Sequence, residues 1–207
     1  MNDKIPIDAV ITWVDGNDPL HQRKMSLAVS SEKKKKNNLS KYKEAGEIYY
    51  CVQSIIKFAP FIRNIFIVTD NQVPLFIKNK KVHDKRIKVV DHKEIFKGLE
   101  EYMPTFNPRC IDALLHRVPG LSERFIYFND DMFLIKKTQA KDWFTVVGEP
   151  VLRGKWSKSF NTMWHKKIAD LFSPVTNTYP LSEILNACFA FCSTIKIATL
   201  VFFTFTI

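Results

Sequence analysis

Four short apolar runs, rich in β-branched residues, are spaced along residues 7–131. Runs of this length that are apolar at nearly every position predict strands buried on both faces of a sheet, because a strand with one wet face would alternate apolar and polar residues. The runs are IDAVITWV at 7–14, NIFIVTD at 64–70, RIKVVDH at 86–92 and RFIYFNDD at 124–131.

Two segments between these runs have the apolar spacing of a helix. In EIYYCVQSIIKFAP, residues 47–60, apolar side chains recur at positions 48, 52, 55, 56 and 59 before Pro60 ends the pattern. CIDALLHRVPG, residues 110–120, predicts a second helix with a Pro-Gly stop. The order of strand, helix, strand, strand, helix and strand predicts an α/β fold with a mostly parallel sheet and flanking helices.

Each predicted strand ends in an acidic or amide side chain. These residues are Asp15, Asp70, Asp91 and the triplet Asn129, Asp130 and Asp131. In open α/β sheets, ligands bind in the crevice beyond the carboxyl ends of the strands. We therefore expect the binding site at this edge of the sheet.

The triplet Asn129, Asp130 and Asp131 follows an apolar aromatic run. Two carboxylates after a strand suit a hard divalent cation, since Mg²⁺ takes one or two carboxylates together with phosphate oxygens and water. Alternation along a strand would point the two acids in different directions, so that one binds metal while the other receives a proton or orients a neighbour. The alternative is a turn closed by Asx hydrogen bonds.

The segment WVDGNDP, residues 13–19, follows the first predicted strand. Gly16 would let the backbone approach a ligand closely, Trp13 would offer a face for base stacking, and Asp15 would bond a ribose or uracil. The sequence has neither a G-x-G-x-x-G nor a Walker A motif, so the two commonest phosphate cradles are absent. The alternative is an ordinary Asp-Gly turn beside a core tryptophan.

His116 and Arg117 stand at the end of the second predicted helix. One interpretation is a cation or proton donor near a phosphate, in a site that works by positioning and electrostatics. The other is a pair of basic side chains that stabilise the carboxyl end of the helix dipole.

The composition adds a strong positive charge. The 207 residues include 31 Lys and Arg against 21 Asp and Glu, a net charge of +10. Such a surface favours polyanions, although a solvated lysine-rich surface is an equal alternative. The segment 30–43, with the lysine run 33–36, predicts a loop. No recognised module or aromatic-basic interleaving supports binding to nucleic acid.

Cysteine and histidine spacing excludes some site classes. The cysteines at positions 51, 110, 188 and 192 form no C-x-x-C pair, which disfavours a disulfide framework or zinc ribbon and suits a reducing cytoplasm. His21, His83 and His165 lack partners at metal-ligand spacing and are predicted to be surface residues. The amino terminus does not have the pattern of a signal peptide.

Several long runs together resemble one family. They are IDAVITWVDGNDP, FAPFIRNIFIVTDNQVP, IKVVDHKEIF, MPTFNPRCIDALLHRVPGLSERFIYFNDDMFL and DWF, in that order. Over residues 6–150 the chain closely resembles the Stealth family of capsular polysaccharide phosphotransferases. The resemblance implies a Rossmann-like, glycosyltransferase-A-like fold.

The resemblance also implies a reaction. Such enzymes transfer a sugar-1-phosphate from a nucleotide sugar, typically UDP-linked, to a hydroxyl of a glycan acceptor such as capsular polysaccharide, and release UMP. A divalent cation, Mg²⁺ or Mn²⁺, is expected. The implied location is the cytoplasm, with peripheral contact at the inner face of the bacterial inner membrane.

Site residues carried over from the resemblance fall into three groups. Trp13, Val14, Asp15 and Gly16 would shape the nucleotide-sugar pocket, and Asp70 and Asn71 would line the next strand end. Asn129, Asp130 and Asp131 would hold the metal or orient the attacking hydroxyl, and His116 and Arg117 would face the phosphate.

The chain departs from the family pattern in three places. Tyr49 and Gln53 stand where arginines are usual, and Ile135 replaces a usual glycine. The family continues with a histidine motif and an arginine motif that this sequence lacks. Residues 184–207 are instead an apolar tail, which would be a membrane anchor, part of an incomplete core, or the out-of-frame product of a frameshift.

These departures leave the domain plan and the activity open. The sequence divides into a nucleotide-sugar-binding region at 1–150, the start of an incomplete second part at 151–183, and the tail at 184–207. The main hypothesis is a sugar-1-phosphate transferase. The alternatives are a truncated, inactive relative that binds a nucleotide sugar or a partner, and a conventional glycosyltransferase.

Overall fold

The molecule is built on a four-stranded parallel sheet. The structure, a computed structural model, describes residues 6–28 and 45–151. Within these ranges the strands are β1 (Ile7–Thr12), β2 (Ile62–Thr69), β3 (Ile87–Asp91) and β4 (Arg124–Asn129). Their order is β3-β2-β1-β4, with every neighbouring pair parallel. The predicted α/β fold with a parallel sheet is confirmed.

Five α-helices accompany these strands within the described ranges. They are α1 (Pro19–Ala28), α2 (Glu47–Phe58), α3 (Leu75–Lys78), α4 (His92–Ile95) and α5 (Pro108–Leu114), with 3₁₀ turns at Glu100–Tyr102, Leu115–Arg117 and Ala140–Asp142. Helix α1 was not predicted, because His21 is its one buried side chain and its sequence therefore has no apolar stripe.

Helix α2 matches its prediction closely. Ile48, Cys51, Val52 and Ile55 form its buried face, at the spacing that places side chains on one side of a helix. It ends at Phe58, two residues before Pro60, which cannot continue a helix because it lacks a backbone N–H.

Side chains from alternate strand positions build a separate core on each face of the sheet. On the α2 face the strands contribute Ala9, Ile11, Ile65, Ile67, Ile126 and Phe128. On the α5 face they contribute Val10, Phe66, Val68, Phe125 and Tyr127. Because both faces of the inner strands and of β4 are covered, β1, β2 and β4 are largely apolar, whereas the edge strand β3 buries only Val90.

Helix α5 corresponds to the second predicted helix but is shorter. Asn107 caps it by accepting a hydrogen bond from the backbone N–H of Arg109 at 3.1 Å, and Pro108 occupies its first turn. The α-helix ends at Leu114, and a 3₁₀ turn carries the chain to Val118. The helix therefore begins earlier and ends earlier than the segment 110–120.

A buried carboxylate joins three parts of the sheet at its amino edge. Asp8 in β1 is fully buried, with 0% of its surface exposed. It accepts hydrogen bonds from the guanidinium of Arg63, from the backbone and side chain of Asn64 and from the backbone N–H of Ser122. These bonds connect β1 with β2 and with the segment that leads into β4.

Several predictions fall outside the described residues. They concern the loop at 30–43 with its lysine run, His165, the second part beyond residue 151, and the tail at 184–207. The division into three regions therefore stays a prediction. Among residues 6–28 and 45–151, no helix is both long and apolar enough to cross a bilayer.

Asp8→Asn tests the amino-edge network. The substitution removes the charge that Arg63 faces and leaves donors without a full set of acceptors, so we expect the free energy of unfolding to fall by about 3 kcal/mol. Urea unfolding measures this change. Asp84→Asn is the matched control, because the Asp84–Arg86 pair is local and partly exposed, and should cost about 1 kcal/mol or less. Equal effects of the two substitutions would contradict the assignment.

Candidate functional site

The strand order identifies one crevice at the carboxyl edge of the sheet. From β1 the chain passes to β2 on one side, whereas β4 pairs with the other side of β1. Ligands of doubly wound sheets bind where the order reverses in this way. Here that point lies between the last residues of β1 and β4, Thr12 and Asn129, which are register partners.

The hydroxyl of Tyr127 connects this side chain with three others in the crevice. The Tyr127 hydroxyl lies 2.8 Å from the Thr12 hydroxyl, 2.9 Å from an Asp112 carboxylate oxygen and 2.8 Å from the Asn129 side-chain oxygen. Strand alternation places Thr12, Tyr127 and Asn129 on the α5 face, and α5 supplies Asp112. We call these four residues the Tyr127 cluster.

Burial changes the proton affinities within the Tyr127 cluster. Desolvation raises the pKa of Asp112 above its usual value, and the hydrogen bond from Tyr127 opposes this only in part. Burial, followed by the charge of Asp112, raises the pKa of the Tyr127 phenol, which therefore stays protonated at neutral pH. A carboxyl group with a raised pKa in a crevice is a candidate for proton transfer.

Asp130 and Asp131 occupy a turn beside the Tyr127 cluster. Strand β4 ends at Asn129, and the backbone N–H of Met132 donates to the Asn129 carbonyl at 3.1 Å, which closes a turn around the two acids. The expectation of strand alternation at these positions is therefore wrong, and the turn alternative describes the backbone. A turn still leaves both carboxylates at the crevice, with Asp131 exposed and Asp130 half-buried.

Helix α2 supports this turn through a hydrogen bond from Cys51. The Cys51 thiol donates to the Asn129 carbonyl at 3.7 Å. Burial, followed by the charges of Asp130 and Asp131, raises the pKa of the Cys51 thiol. The thiol therefore remains a neutral donor that helps to hold the turn.

The donor set at the turn fits a cation that shares its ligands with a substrate. The described residues contain no group of three or more His, Cys, Asp and Glu arranged to hold a metal ion. Asp130, Asp131 and the Asn129 oxygen offer two carboxylates and an amide, which is what Mg²⁺ requires when phosphate oxygens and water complete its shell.

The loop at 13–18 combines predicted and unpredicted features. Trp13 is 6% exposed and packs in the core on the α2 face, which favours the core-tryptophan alternative over a stacking role. Asp15 accepts a hydrogen bond from the Asn17 backbone at 2.8 Å, as in an Asx turn, and the Gly16 carbonyl accepts one from Gln22 at 2.9 Å. Val14 is half-buried.

Gln72 holds this loop and was missed by the sequence analysis. Its side-chain oxygen accepts from the Asp15 backbone N–H at 2.7 Å, and its side-chain nitrogen donates to the Asp15 carbonyl at 3.1 Å and to the Asp18 carboxylate at 2.9 Å. The hydrogen bond from Gln72 is the main reason that the pKa of Asp18 is lowered. The only sequence signal was its place just after a strand end.

Asp70 binds two residues of α1. Its carboxylate lies 3.1 Å from His21 Nδ1 and 2.8 Å from Lys24 Nζ. The hydrogen bond with His21, followed by the interaction with Lys24, holds the pKa of Asp70 well below its usual value. His21 is only 5% exposed, so its prediction as a surface residue is wrong, whereas His83 is exposed as predicted. Asn71 is exposed at the strand end.

His116 and Arg117 lie in the 3₁₀ turn after α5. Arg117 donates to the Lys97 carbonyl, and burial lowers the pKa of His116. Three residues further on, the Gly120 carbonyl accepts from Arg63 at the amino edge, so the chain is already leaving the crevice. The hydrogen bonds of the Tyr127 cluster involve neither residue. The His116 side chain bonds the backbone of Ala113 in α5, as the helix-end alternative expects, and a role of either residue near a phosphate stays a prediction.

Tyr49, one of the two positions on α2 that depart from the family pattern, has an aromatic setting. Tyr49 makes edge contacts with Tyr50 and Phe76, at ring-centroid separations of 5.2 and 5.8 Å. An aromatic cluster thus stands where the resemblance leads us to expect a positive charge.

Family models match most of the described residues. The model of Stealth conserved region 1 matches residues 6–31, and that of Stealth conserved region 2 matches residues 41–152. The chain belongs to the Stealth family. Region 1 supplies Thr12 and the loop at 13–18, whereas region 2 supplies Gln72 and the rest of the Tyr127 cluster. The crevice is therefore formed where the two Stealth regions meet.

Curated relatives of this Stealth protein are similar over the same part. It is 40% identical over 146 residues to capsular polysaccharide phosphotransferase cps1A of Actinobacillus pleuropneumoniae, which is 69% of this chain and 39% of that protein. It is 45% identical over 148 residues to capsular polysaccharide phosphotransferase fcs1 of Haemophilus influenzae, 70% of this chain and 39% of that protein. The chain spans about two-fifths of the length of these relatives.

A third relative shows the same coverage. Receptor polysaccharide phosphotransferase WefC of Streptococcus oralis is 38% identical over 147 residues, which is 70% of this chain and 43% of that protein. The strands, the Tyr127 cluster and the acidic turn all lie within the matched family regions.

Asp70→Asn tests the contact between β2 and α1. Since the folded pKa of Asp70 is depressed, its stabilisation is present above its unfolded pKa of about 4 and is lost as pH falls further. We expect the variant to be about 2 kcal/mol less stable from pH 8 to 5, with a smaller difference below pH 4. Chemical unfolding across this pH range, with the exposed Glu101→Gln as control, measures it. A difference that does not change with pH would contradict the ion pairing.

Proposed function

We propose that this chain binds a nucleotide sugar, UDP-linked, and contributes to transfer of its sugar-1-phosphate to a hydroxyl of capsular or extracellular polysaccharide. The observation that carries the proposal is the Tyr127 cluster beside the Asp130–Asp131 turn, in the crevice where such sheets bind ligands. The names of relatives at 37 to 45% identity support the same reaction.

The donor lies across the crevice in this proposal. Residues 14–16 and the strand end at Asp70 and Asn71 line its pocket, and the acidic turn meets its diphosphate. Asp130 and Asp131 would hold Mg²⁺ or Mn²⁺, and the bound cation would neutralise part of the diphosphate charge. Region 1–150 is the donor-binding part, residues 151–183 start a second part, and residues 184–207 form the apolar tail.

Asp112 is the group best suited to take the proton of the acceptor hydroxyl. As the acceptor oxygen bonds to the phosphorus next to the sugar, the bond from that phosphorus to the oxygen shared with UMP breaks. The acceptor proton passes to the Asp112 carboxylate, and UMP leaves with the bonding electrons. The raised pKa of Asp112 favours proton acceptance closer to neutral pH. Tyr127 holds Asp112 and Asn129 in place.

Two other functions use the same crevice. A conventional glycosyltransferase would direct the acceptor to the sugar carbon and release UDP, with the same acidic turn at the diphosphate. A binding-only relative would hold the nucleotide sugar or a partner without turnover.

The proposed setting follows from the substrates. Nucleotide sugars are cytoplasmic metabolites, and a net charge of +10 favours contact with the anionic inner face of the inner membrane. Nucleic acid is not among the proposed partners.

The released nucleotide decides between these functions. We expect the purified chain, incubated with UDP-sugars, Mg²⁺ and capsule oligosaccharide, to release UMP in step with a phosphodiester-linked product, both measured by chromatography and mass spectrometry. Release of UDP would replace the proposal with a glycosyltransferase. Nucleotide-sugar binding in calorimetry without any release would leave the binding-only relative.

Asp130→Ala tests the acidic turn. We expect turnover to fall by about 100-fold or more and Mn²⁺ binding, followed by electron paramagnetic resonance, to weaken, because a carboxylate ligand of the cation is lost. The melting temperature should stay near that of the wild type. Glu123→Ala, an exposed acid at the other end of β4, is the control. Turnover and Mn²⁺ affinity at wild-type levels would remove Asp130 from the site.

A further inference from the structure

We propose that Gln72 is a positioning residue, which fixes the loop at 13–18 in the conformation that binds the donor. The inference rests on the proposed function. Gln72 would influence donor binding by holding the loop at 13–18, without touching the donor itself. Gln72 follows the end of β2 by three residues, whereas the loop follows β1, so the side chain connects the segments at the carboxyl ends of two neighbouring strands.

The Gln72 side chain bonds both the N–H and the carbonyl of Asp15, as the backbone of a paired strand would. Its oxygen accepts from the Asp15 N–H at 2.7 Å while its nitrogen donates to the Asp15 carbonyl at 3.1 Å. A carboxamide is suited to this because it presents an acceptor and donors in one plane. Gln72 is 8% exposed, so water competes little for these bonds.

A third hydrogen bond extends this control to the start of α1. The Gln72 nitrogen also donates to the Asp18 carboxylate at 2.9 Å. The other oxygen of that carboxylate accepts from the Leu20 backbone at 2.9 Å, in the first turn of α1. The Asp18 N–H in turn donates to the Asp15 carbonyl at 3.2 Å. Gln72 therefore stabilises both ends of the turn that contains Gly16.

Gln72 is itself held rigidly. The preceding Asp70 is paired with His21 and Lys24 of α1, and Asn71 has a φ of 53°, a left-handed conformation that asparagine tolerates better than most residues. This turn of the backbone directs the chain after β2 back towards the loop. Helix α1 and the end of β2 are thus joined twice, at Asp70 and at Gln72.

Such a fixed loop matters for binding because ordering a loop on binding costs affinity. A loop already held by Gln72 presents residues 14–16 to the donor without that cost. Removal of the carboxamide should therefore weaken nucleotide binding although Gln72 makes no contact with nucleotide in this scheme.

Three variants separate positioning from general stability. Gln72→Leu removes every polar contact at similar size. Gln72→Glu keeps the acceptor for the Asp15 N–H but loses the donors and repels Asp18. Adding Asp18→Asn to Gln72→Glu removes that repulsion and supplies a new donor to Glu at position 72. Gln139→Leu, an exposed glutamine after β4, is the matched control.

Hydrogen exchange and nucleotide binding are measured on each variant. In Gln72→Leu and Gln72→Glu, we expect the exchange rate of the amides at 13–18 to rise by about tenfold. We expect the Kd for Mg²⁺–UDP, measured by calorimetry, to rise by about tenfold as well. The double variant should recover part of both losses. Gln139→Leu shows the effect of a glutamine substitution outside the loop. Asp18→Asn alone shows the effect of changing Asp18 while Gln72 is kept.

The outcomes are distinct. Wild-type exchange in the loop of Gln72→Leu would overturn the proposal, and so would faster exchange with unchanged affinity for Mg²⁺–UDP. If Gln72→Leu does not fold, the same criteria apply to Gln72→Glu. If the wild type itself does not bind Mg²⁺–UDP, the proposed function fails, and the inference that rests on it falls even where hydrogen exchange shows that Gln72 holds the loop.

Discussion

The carboxylate of Asp8 sets the frame on which the sheet depends. It is fully buried and is stable there because backbone and side-chain donors from two segments surround it. These donors fix where β2 and the segment before β4 begin relative to β1. The pairing of β1 with β2 is irregular between Ile7 and Ala9 and regular from Ala9 onward, so the arrangement around Asp8 also decides which residues meet at the carboxyl edge, about 15–20 Å away.

Most of the fold could be predicted from the sequence. The strands are visible because most of their side chains are buried on one face of the sheet or the other, which makes their sequences largely apolar, and α2 is visible because it buries one regular stripe. Helix α1 was missed because it is held by the polar contacts of His21 and Lys24 with Asp70 instead of by an apolar face. Asp8 was read as part of an apolar run for a related reason, since a satisfied buried charge leaves no signal in hydrophobic patterning.

The candidate site could be predicted only in part. Acidic residues that follow an apolar run can be read directly from the sequence, so Asp70 and the acidic turn could be identified. Their partners could not, because the contacts of Tyr127 with Asp112 and of Gln72 with Asp15 cross 15 and 57 positions of sequence and depend on strand register and helix placement. Trp13 was predicted to face the ligand because it lies next to a strand end. Its position in the sequence does not say which way its side chain points, and this side chain faces the core.

The junction between the two Stealth regions has a consequence for how such genes can be recombined. Asp8 with Arg63, Asp15 with Gln72, and Thr12 with Tyr127 each have one member in residues 6–31 and the other in residues 41–152. A crossover between two relatives at positions 32–40 would keep every described strand and helix whole but would combine halves of these pairs from different parents. Chimeras are therefore viable only where the parents agree at these contacts, and the short segment between the regions is a poor place to exchange donor preference.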